Sequence, residues 1–338
     1  MTTTPITDQL RRPIRDLRIS VTDRCNFRCT YCMPKEVFGD NYTFMPAREL
    51  LSFEEILRLS RLFVSLGVVK IRLTGGEPLL RSNLHELISE IRSIDGIEDI
   101  GLTTNGVFLG QQAKGLYSAG LRRLNISLDA LNPEIFGKMN GRGTKPSLIL
   151  RNIDQARDLG FEIKINMVVQ KGVNESEILP MAVYFKERNI TLRFIEFMDV
   201  GNDNGWSLAK VVTKKDILES LQSVYELEAL GLASQGEVAQ RYRYKDCQTE
   251  IGFITSVSES FCSSCTRARL SSDGKFYTCL FASKGTDLRT LLRNGADNSM
   301  LMSVIKDIWE LRGDRYSDER QEQSAASRNK ISMSYIGG

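Results

Sequence analysis

Six apolar, strand-like segments alternate with helical patterns, and this alternation constrains the fold of the chain more than any other feature. The strand-like segments are 17–21, 69–73, 100–104, 123–128, 163–169 and 191–197. Strands that alternate with helices form a parallel sheet with crossover helices. Six βα units fall two short of the eight that close a full barrel. The fold class is therefore predicted to be α/β, a partial (βα)6 barrel similar to the TIM type.

The first crossover contains the clearest helix signal. Ser52 and Glu55 form a capping-box pattern, apolar residues from Ile56 to Leu66 recur at helical spacing, and Gly67 follows the last turn. Further crossover helices are predicted at 83–94, 111–119, 147–159 and 175–188.

Polar residues share one face of several predicted strands. They are Arg18 and Ser20, then Lys70, Arg72 and Thr74, then Asn125, Ser127 and Asp129, and finally Lys164 and Asn166. Because alternate side chains of a strand point to opposite faces, the apolar residues between them would pack on the helices. The polar faces would then line a wet or ligand-filled interior. An open antiparallel sheet with these residues in solvent is the alternative, and the intervening helices disfavour it.

Length and composition indicate an ordinary globular protein of about two domains. The 338 residues are 41% hydrophobic and 26% charged, and the net charge of +3 gives little reason to expect nucleic acid. The N-terminus has no apolar signal region, and no long apolar run indicates a membrane span. A cytoplasmic protein is expected. The sequence becomes turn-rich after Met198, which predicts a first domain at 1–222 and a second at 223–338.

Seven cysteines in a chain without a secretion signal favour metal binding or catalysis over disulfides. Cys25, Cys29 and Cys32 form a C-x3-C-x2-C motif directly after the first strand. Three thiolates leave one position open on a zinc ion or on a [4Fe–4S] cluster, which favours a reactive site. The alternative is a zinc site completed by a distant residue, but the single histidine, His85, lies in a helical pattern among charged residues.

Cys262, Cys265 and Cys279 form a second triplet, and Cys247 stands apart from both. A four-cysteine zinc ribbon that includes Cys247 is one interpretation. The other is a second open cluster, because alternation would place Arg267 and Arg269 on the same side as Cys265. Guanidiniums bind phosphate or carboxylate groups well. The inward bases then form a set that predicts a cavity for a polyanion such as a nucleoside triphosphate: Arg18, Lys70, Arg72, Lys164, Arg193, Arg267 and Arg269.

The Thr74-Gly-Gly-Glu-Pro78 segment follows the second strand. Its glycines allow close backbone approach, and Glu77 can accept from a cationic amine. Together with C-x3-C-x2-C, it resembles the radical S-adenosylmethionine (SAM) superfamily, which has such motifs after the first two strands of a partial barrel. The resemblance implies that SAM binds the open iron and is cleaved by one electron to a 5′-deoxyadenosyl radical. It also implies that four residues position SAM: Tyr31, Gly76, Ser127 and Met198.

From about Arg12 to its end, the chain resembles the GTP 3′,8-cyclase family of molybdenum cofactor biosynthesis. Besides the cysteines, the segments that carry this resemblance are 70–78, 125–130, 197–206, 261–274 and the terminal Gly337-Gly338. The resemblance implies a lyase with two [4Fe–4S] clusters. The radical would abstract the ribose 3′ hydrogen of GTP, and the product would be (8S)-3′,8-cyclo-7,8-dihydroguanosine 5′-triphosphate. The second cluster, in the C-terminal domain, would hold GTP.

The same resemblance implies particular residues and partners. GTP contacts are expected from Arg18, Lys70, Arg72, Thr103, Lys164, Arg193, Arg267, Ala268 and Arg269, of which Arg18, Arg267 and Arg269 would be catalytic. An electron donor and the downstream cyclic pyranopterin monophosphate synthase are the expected partners, without nucleic acid or membrane, for a monomer or homodimer. The Gly-Gly tail would enter the active site, although terminal residues often fray.

Two rival functions remain open. One is a radical SAM peptide maturase with an auxiliary cluster, which the base-lined interior disfavours. The other is a zinc-stabilised binding protein without redox chemistry.

Overall fold

The computed structural model describes residues 5–231, 236–320 and 330–337, and in this part of the chain twelve strands form one sheet. The strands are β1 Asp16–Ser20, β2 Lys70–Thr74, β3 Asp99–Thr104, β4 Arg123–Ser127, β5 Glu162–Val169, β6 Thr191–Glu196, β7 Leu227–Ala229, β8 Ala239–Tyr244, β9 Glu250–Ile254, β10 Arg267–Leu270, β11 Lys275–Tyr277 and β12 Thr286–Asp287. Their order across the sheet is β12-β11-β10-β1-β2-β3-β4-β5-β6-β9-β8-β7.

Strands β1 to β6 lie in chain order and pair in parallel, as the alternation predicted. Two further strands extend this parallel region. β10 pairs in parallel with β1, and β9 pairs in parallel with β6. Both come from the C-terminal part, so this part continues the barrel sheet on either side. The predicted domain boundary at residue 222 stays a prediction.

Eleven α-helices are found in the described residues; the first seven lie in the crossovers between parallel strands, and the last four follow β12. They are α1 Phe53–Ser65, α2 Leu84–Arg92, α3 Leu109–Ser118, α4 Pro133–Asn140, α5 Pro146–Asp158, α6 Ile178–Glu187, α7 Lys214–Gln222, α8 Leu288–Arg293, α9 Asn298–Glu310, α10 Tyr316–Glu319 and α11 Met333–Ile336. The capping box of α1 is confirmed, since the Ser52 hydroxyl accepts from the Glu55 amide at 3.2 Å and the Glu55 carboxylate accepts from the Ser52 amide at 2.8 Å. Helix α4 was not predicted.

The apolar strand faces pack against the helices in one continuous core. Their members are Leu17, Ile19, Ile71, Leu73, Ile126, Leu128, Ile163, Ile165 and Met167, all buried. The polar faces therefore point to the inner side of the sheet, as the alternation predicted. His85 is exposed on α2, in agreement with the surface position expected for it. Among the described helices, none has both the length and the apolarity to cross a bilayer.

Candidate active site

A large cavity lies within the curve of the sheet, at the end where the parallel strands finish. Its volume is about 1780 Å³, including solvent at its mouth. The lining includes Cys25, Cys29 and Cys32 as well as Cys262, Cys265 and Cys279. The two triplets, more than 200 residues apart in sequence, thus face one space.

The first triplet lies on a loop that is fixed by the side chain of Arg28. Its Nη1 donates to the carbonyl oxygens of Cys25 and Phe27 at 2.8 and 2.7 Å, and its Nε donates to that of Phe38 at 2.5 Å. Burial raises the pKa of Cys25 to about 12 and that of Cys29 well above its usual value. Neighbouring cysteines add repulsion at Cys29. Such thiols ionise readily only when a cation binds them, so this donor set fits a [4Fe–4S] cluster.

The Gly-Gly-Glu segment packs directly on this cysteine loop. The Gly76 amide donates to the Thr22 carbonyl at 2.8 Å, and the Glu77 amide donates to the Arg24 carbonyl at 2.8 Å. A Cβ at Gly76 would meet the Arg24 carbonyl oxygen, so only glycine allows this approach. The close contact predicted for these glycines is thus made with the loop that carries the thiols.

The Glu77 carboxylate is buried and joins the ends of two strands. It accepts from the Thr104 hydroxyl at 2.7 Å and from the Asn105 and Leu79 amides at 2.8 and 3.0 Å. Burial raises the pKa of Glu77 to about 7, although these hydrogen bonds act to lower it. The contact expected between Glu77 and a cationic amine stays a prediction.

The four residues predicted to position SAM all line the cavity: Tyr31, Gly76, Ser127 and Met198. The Tyr31 hydroxyl donates to Asp129 Oδ2 at 2.8 Å, and the Val168 amide donates to Asp129 Oδ1 at 2.9 Å. Asp129 and Asn166, which the strand alternation placed on inward polar faces, also line the cavity, but Asn105 was not identified from the sequence. Its position just after the end of β3 could have indicated it, because the ends of parallel strands meet at one edge of a sheet.

The second triplet is distinguished by arginines around one thiol. Cys265 Sγ accepts from Arg267 Nη2 and Nε at 3.2 and 3.4 Å and from Arg312 Nη2 at 3.3 Å. Burial opposes ionisation of Cys265, but Arg267 and Arg312 outweigh it and lower its pKa to about 6. For Cys279, burial raises the pKa to about 11. Three cysteines at one end of the cavity, one of them favoured as a thiolate, also fit an open cluster.

Cys247 does not fit the zinc-ribbon interpretation. It lies in the turn before β9, whereas Cys262 follows the other end of that strand. Cys247 packs against the apolar core and is not among the cavity-lining residues, whereas Cys262, Cys265 and Cys279 line the cavity. In the described ranges, no three His, Cys, Asp or Glu side chains converge tightly enough for a single ion. A [4Fe–4S] cluster binds its thiolates through separate irons and does not require such convergence.

Guanidiniums line the cavity together with the two triplets; Arg269 is buried, and Arg18, Arg72, Arg193 and Arg267 are half-buried. In the sheet register, Arg18 lies beside Arg72 on one side and Arg269 on the other, although like charges in such positions destabilise a sheet. Burial and then Arg267 lower the pKa of Arg269 to about 9, and burial and then Arg72 lower that of Arg193 to about 10. Buried Nε of Arg72 has no hydrogen-bond partner in the described residues. This concentration of positive charge favours a bound anion.

The predicted GTP contacts are not all in one place. Arg18, Arg72, Thr103, Arg193, Arg267 and Arg269 line the large cavity. Lys70 and Lys164 line a smaller cavity of about 780 Å³ at the beginning of the parallel strands, which shares four of these arginines with the first. The Ala268 side chain lies in the apolar core on the opposite face of β10, so it does not reach the cavity.

The C-terminal segment reaches the cavity wall. Met333 is among the lining residues, and the Gly337 carbonyl accepts a hydrogen bond from Arg269 Nη1. Gly337 has φ +74°, and a Cβ there would meet the Thr74 side chain. The described part of the tail therefore contacts the cavity wall, as expected for a C-terminus that enters the active site. Gly338 lies outside the described residues.

Comparisons with known proteins cover nearly the whole chain. Residues 19–184 match the model of the Radical SAM superfamily, and residues 190–318 match Molybdenum Cofactor Synthesis C. A GTP 3′,8-cyclase of Staphylococcus epidermidis is 58% identical over 98% of this chain and 99% of that protein. GTP 3′,8-cyclases of Staphylococcus haemolyticus and Staphylococcus aureus are 56% and 55% identical over the same shares.

Solved structures support the fold alone, since their identity to this chain is low. Streptococcus suis SuiB bound to S-adenosylmethionine aligns with a TM-score of 0.59 at 17% identity, over 87% of this chain and 68% of that chain. SuiB bound to its precursor peptide SuiA aligns with a TM-score of 0.60 at 13% identity, over 95% of this chain and 78% of that chain. The likeness extends beyond the parallel strands into the C-terminal part.

Proposed function

The chain belongs to the GTP 3′,8-cyclase family of radical SAM enzymes, and from that premise we propose that it cyclises GTP to (8S)-3′,8-cyclo-7,8-dihydroguanosine 5′-triphosphate. This reaction is the first step of molybdenum cofactor biosynthesis. The observation that carries the proposal is the arrangement of two three-cysteine sets around one cavity that is also lined by Arg18, Arg72, Arg193, Arg267 and Arg269, which we call the arginine wall. Such a cavity favours a polyanionic substrate that binds between the two cluster sites, because guanidiniums bind phosphate groups well.

The proposed cofactors are SAM and two [4Fe–4S] clusters. When bound, the first cluster and SAM would supply one-electron chemistry that generates a 5′-deoxyadenosyl radical able to abstract the ribose 3′ hydrogen of GTP. Cys25, Cys29 and Cys32 would hold this cluster, and Tyr31 and its cavity neighbours Gly76, Ser127 and Met198 would orient SAM.

Cys262, Cys265 and Cys279 would hold the second cluster, with the guanine of GTP at its open iron. The triphosphate would then lie along the arginine wall, where Arg18, Arg267 and Arg269 are the proposed catalytic residues. Lys70 and Lys164 could meet its far end through the smaller cavity that adjoins the wall. Charge-assisted, bidentate contacts would fix the ribose relative to SAM.

A peptide maturase is the second candidate, and it shares the fold. The row of Arg72, Arg18 and Arg269 favours a triphosphate over a polypeptide, because three adjacent cations on a cavity wall are best neutralised by a highly charged ligand. The wider context that we propose is a cytoplasmic monomer or homodimer, served by a one-electron donor and followed by cyclic pyranopterin monophosphate synthase, with no nucleic acid or membrane involved.

The proposal is tested by anaerobic incubation with SAM, a reductant and GTP deuterated at the ribose 3′ position. We expect 5′-deoxyadenosine that carries deuterium, together with a cyclised GTP product. ATP is the matched control, because it presents the same triphosphate with a different base. Formation of 5′-deoxyadenosine without any GTP-derived product would show that the cyclase assignment is wrong while radical SAM chemistry survives.

A further inference from the structure

Arg312 approaches the second cysteine triplet from a distant part of the chain. It follows α9 directly, and its Nη2 donates to Cys265 Sγ at 3.3 Å while its Nη1 donates to the Cys265 carbonyl at 2.8 Å. One side chain therefore binds both the thiol and the backbone of the same residue. Arg312 is only 4% exposed, so these contacts are screened from water.

The position of Arg312 is fixed by other contacts. Asp8 Oδ2 accepts from Arg312 Nη1 at 3.2 Å, and the guanidinium lies over the Trp309 ring at 4.5 Å from its centroid. The planar fork of an arginine loses little freedom when it is held in this way. Arg312 differs here from Arg267, which also donates to Cys265 but is a proposed GTP contact.

The same Asp8 carboxylate also fixes the neighbouring cysteine. Its Oδ2 accepts from Arg12 Nε at 2.6 Å, and Arg12 Nη1 donates to the carbonyls of Cys262 and Asp314 at 2.7 and 2.9 Å. Asp8 is 5% exposed and Arg12 is 2% exposed. One buried carboxylate thus holds two arginines, and each arginine holds the backbone of one proposed cluster ligand.

We propose that Arg312 is a positioning residue for the second cluster, whose N–H···S hydrogen bond fixes the Cys265 thiolate and raises the reduction potential of the cluster bound there. Hydrogen bonds to the sulfurs, net charge and solvent exposure set the potentials of iron–sulfur clusters. A fixed cation beside a thiolate stabilises the reduced, more negative state. The inference rests on the proposed function, because it requires a second [4Fe–4S] cluster.

The test is a redox titration of the full-length chain carrying Cys25→Ala, Cys29→Ala and Cys32→Ala, followed by electron paramagnetic resonance. In this background, only the second cluster gives a signal. We expect Arg312→Met to lower the midpoint potential by about 60 mV, which is a tenfold change in a one-electron equilibrium. Arg312→Lys keeps the charge but loses the forked geometry, so its potential should lie between the two. Lys306→Met removes an exposed charge from α9 and should leave the potential unchanged.

An Arg312→Met potential equal to that of the parent chain overturns the inference. If Arg312→Met does not retain its cluster, Arg312→Lys provides the test. A lowered midpoint potential in Arg312→Lys supports the inference. A midpoint potential equal to that of the parent limits Arg312 to a structural role and overturns the inference. The proposed function fails in a different way. In that case, the parent chain with the three alanines would itself bind no [4Fe–4S] cluster.

Discussion

Arg269 donates a hydrogen bond to the carbonyl oxygen of Gly337, which joins the C-terminal segment to the arginine wall of the cavity. The same guanidinium lies in the row of bases that we propose as the triphosphate site. A change at Gly337 should therefore affect substrate handling at Arg269, while Met333 and Ser334 of the same segment lie against Cys32.

Gly337→Ala should strongly reduce formation of the cyclised product. The new Cβ would meet the Thr74 side chain, and the positive φ of +74° costs a non-glycine residue about 1–2 kcal/mol. Displacement of the tail should lower the product rate by about tenfold or more, as measured by chromatography. Gly295→Ala is the matched control, because its φ is +86° but nothing lies within 4 Å of the added Cβ. Equal losses in the two variants would exclude the contact with Thr74 as the cause.

Arg269→Gln should weaken GTP binding and spare the cleavage of SAM. Hydrogen bonds to charged groups contribute about 1.5–3 kcal/mol, so affinity should fall by roughly 10- to 100-fold. Anaerobic equilibrium dialysis with GTP and measurement of 5′-deoxyadenosine separate the two effects. Arg267→Gln should behave in the same way, and the exposed Arg122→Gln should change neither quantity. A parallel loss of GTP binding and SAM cleavage would contradict the role assigned to the arginine wall.

Iron analysis should show whether the six cysteines of the two triplets, but not Cys247, are cluster ligands. Anaerobically purified protein should contain about eight irons per chain, as expected for two [4Fe–4S] clusters. Cys279→Ala should reduce this to about four, because two thiolates hold a cluster poorly. Cys247→Ala should leave about eight, since Cys247 lies at the opposite end of β9 from Cys262. A reduced iron content in Cys247→Ala would show that Cys247 is a cluster ligand.

Structural features that depend only on local backbone geometry could be predicted from the sequence. Period-2 alternation predicted the inner face that carries Arg18 and Arg72, because strand geometry alone decides which side chains share a face. The same rule places the Ala268 side chain opposite Arg267 and Arg269, so the predicted contact of Ala268 with GTP, which stays a prediction, would have to come from its backbone. The burial of this side chain in the core follows directly from that alternation.

Non-local pairing limited what could be predicted. β10 pairs with β1 in a register that places Arg269 beside Arg18, and no short-range pattern encodes this partnership. Arg312 was missed for the same reason, since it lies 47 residues from Cys265 and reaches it only in the folded chain, and Asp8 was missed because it acts through Arg312. The cysteine spacing identified the ligands but not the side chains that surround them.

Asp199→Asn should destabilise the protein through the C-terminal segment. The Asp199 carboxylate is 1% exposed and contacts Arg320 Nε at 2.7 Å, Lys330 Nζ at 2.8 Å and the Tyr316 hydroxyl. Loss of a carboxylate shared by two buried cations should cost about 3 kcal/mol. Anaerobic chemical denaturation measures this cost, and Asp203→Asn, an exposed change in the same loop, is the control.

The pH dependence of this effect follows from the direction of the pKa shift. Burial raises the pKa of Asp199, but Arg320 and Lys330 outweigh burial and hold it below its usual value. Stabilisation is therefore complete above the unfolded pKa, which is about 3.9, and is lost only as the pH falls through the lower folded pKa. The difference in unfolding free energy between Asp199→Asn and the parent should thus stay constant from about pH 8 to pH 5. A difference that shrinks across this range would show that the carboxylate is not held ionised by these two cations.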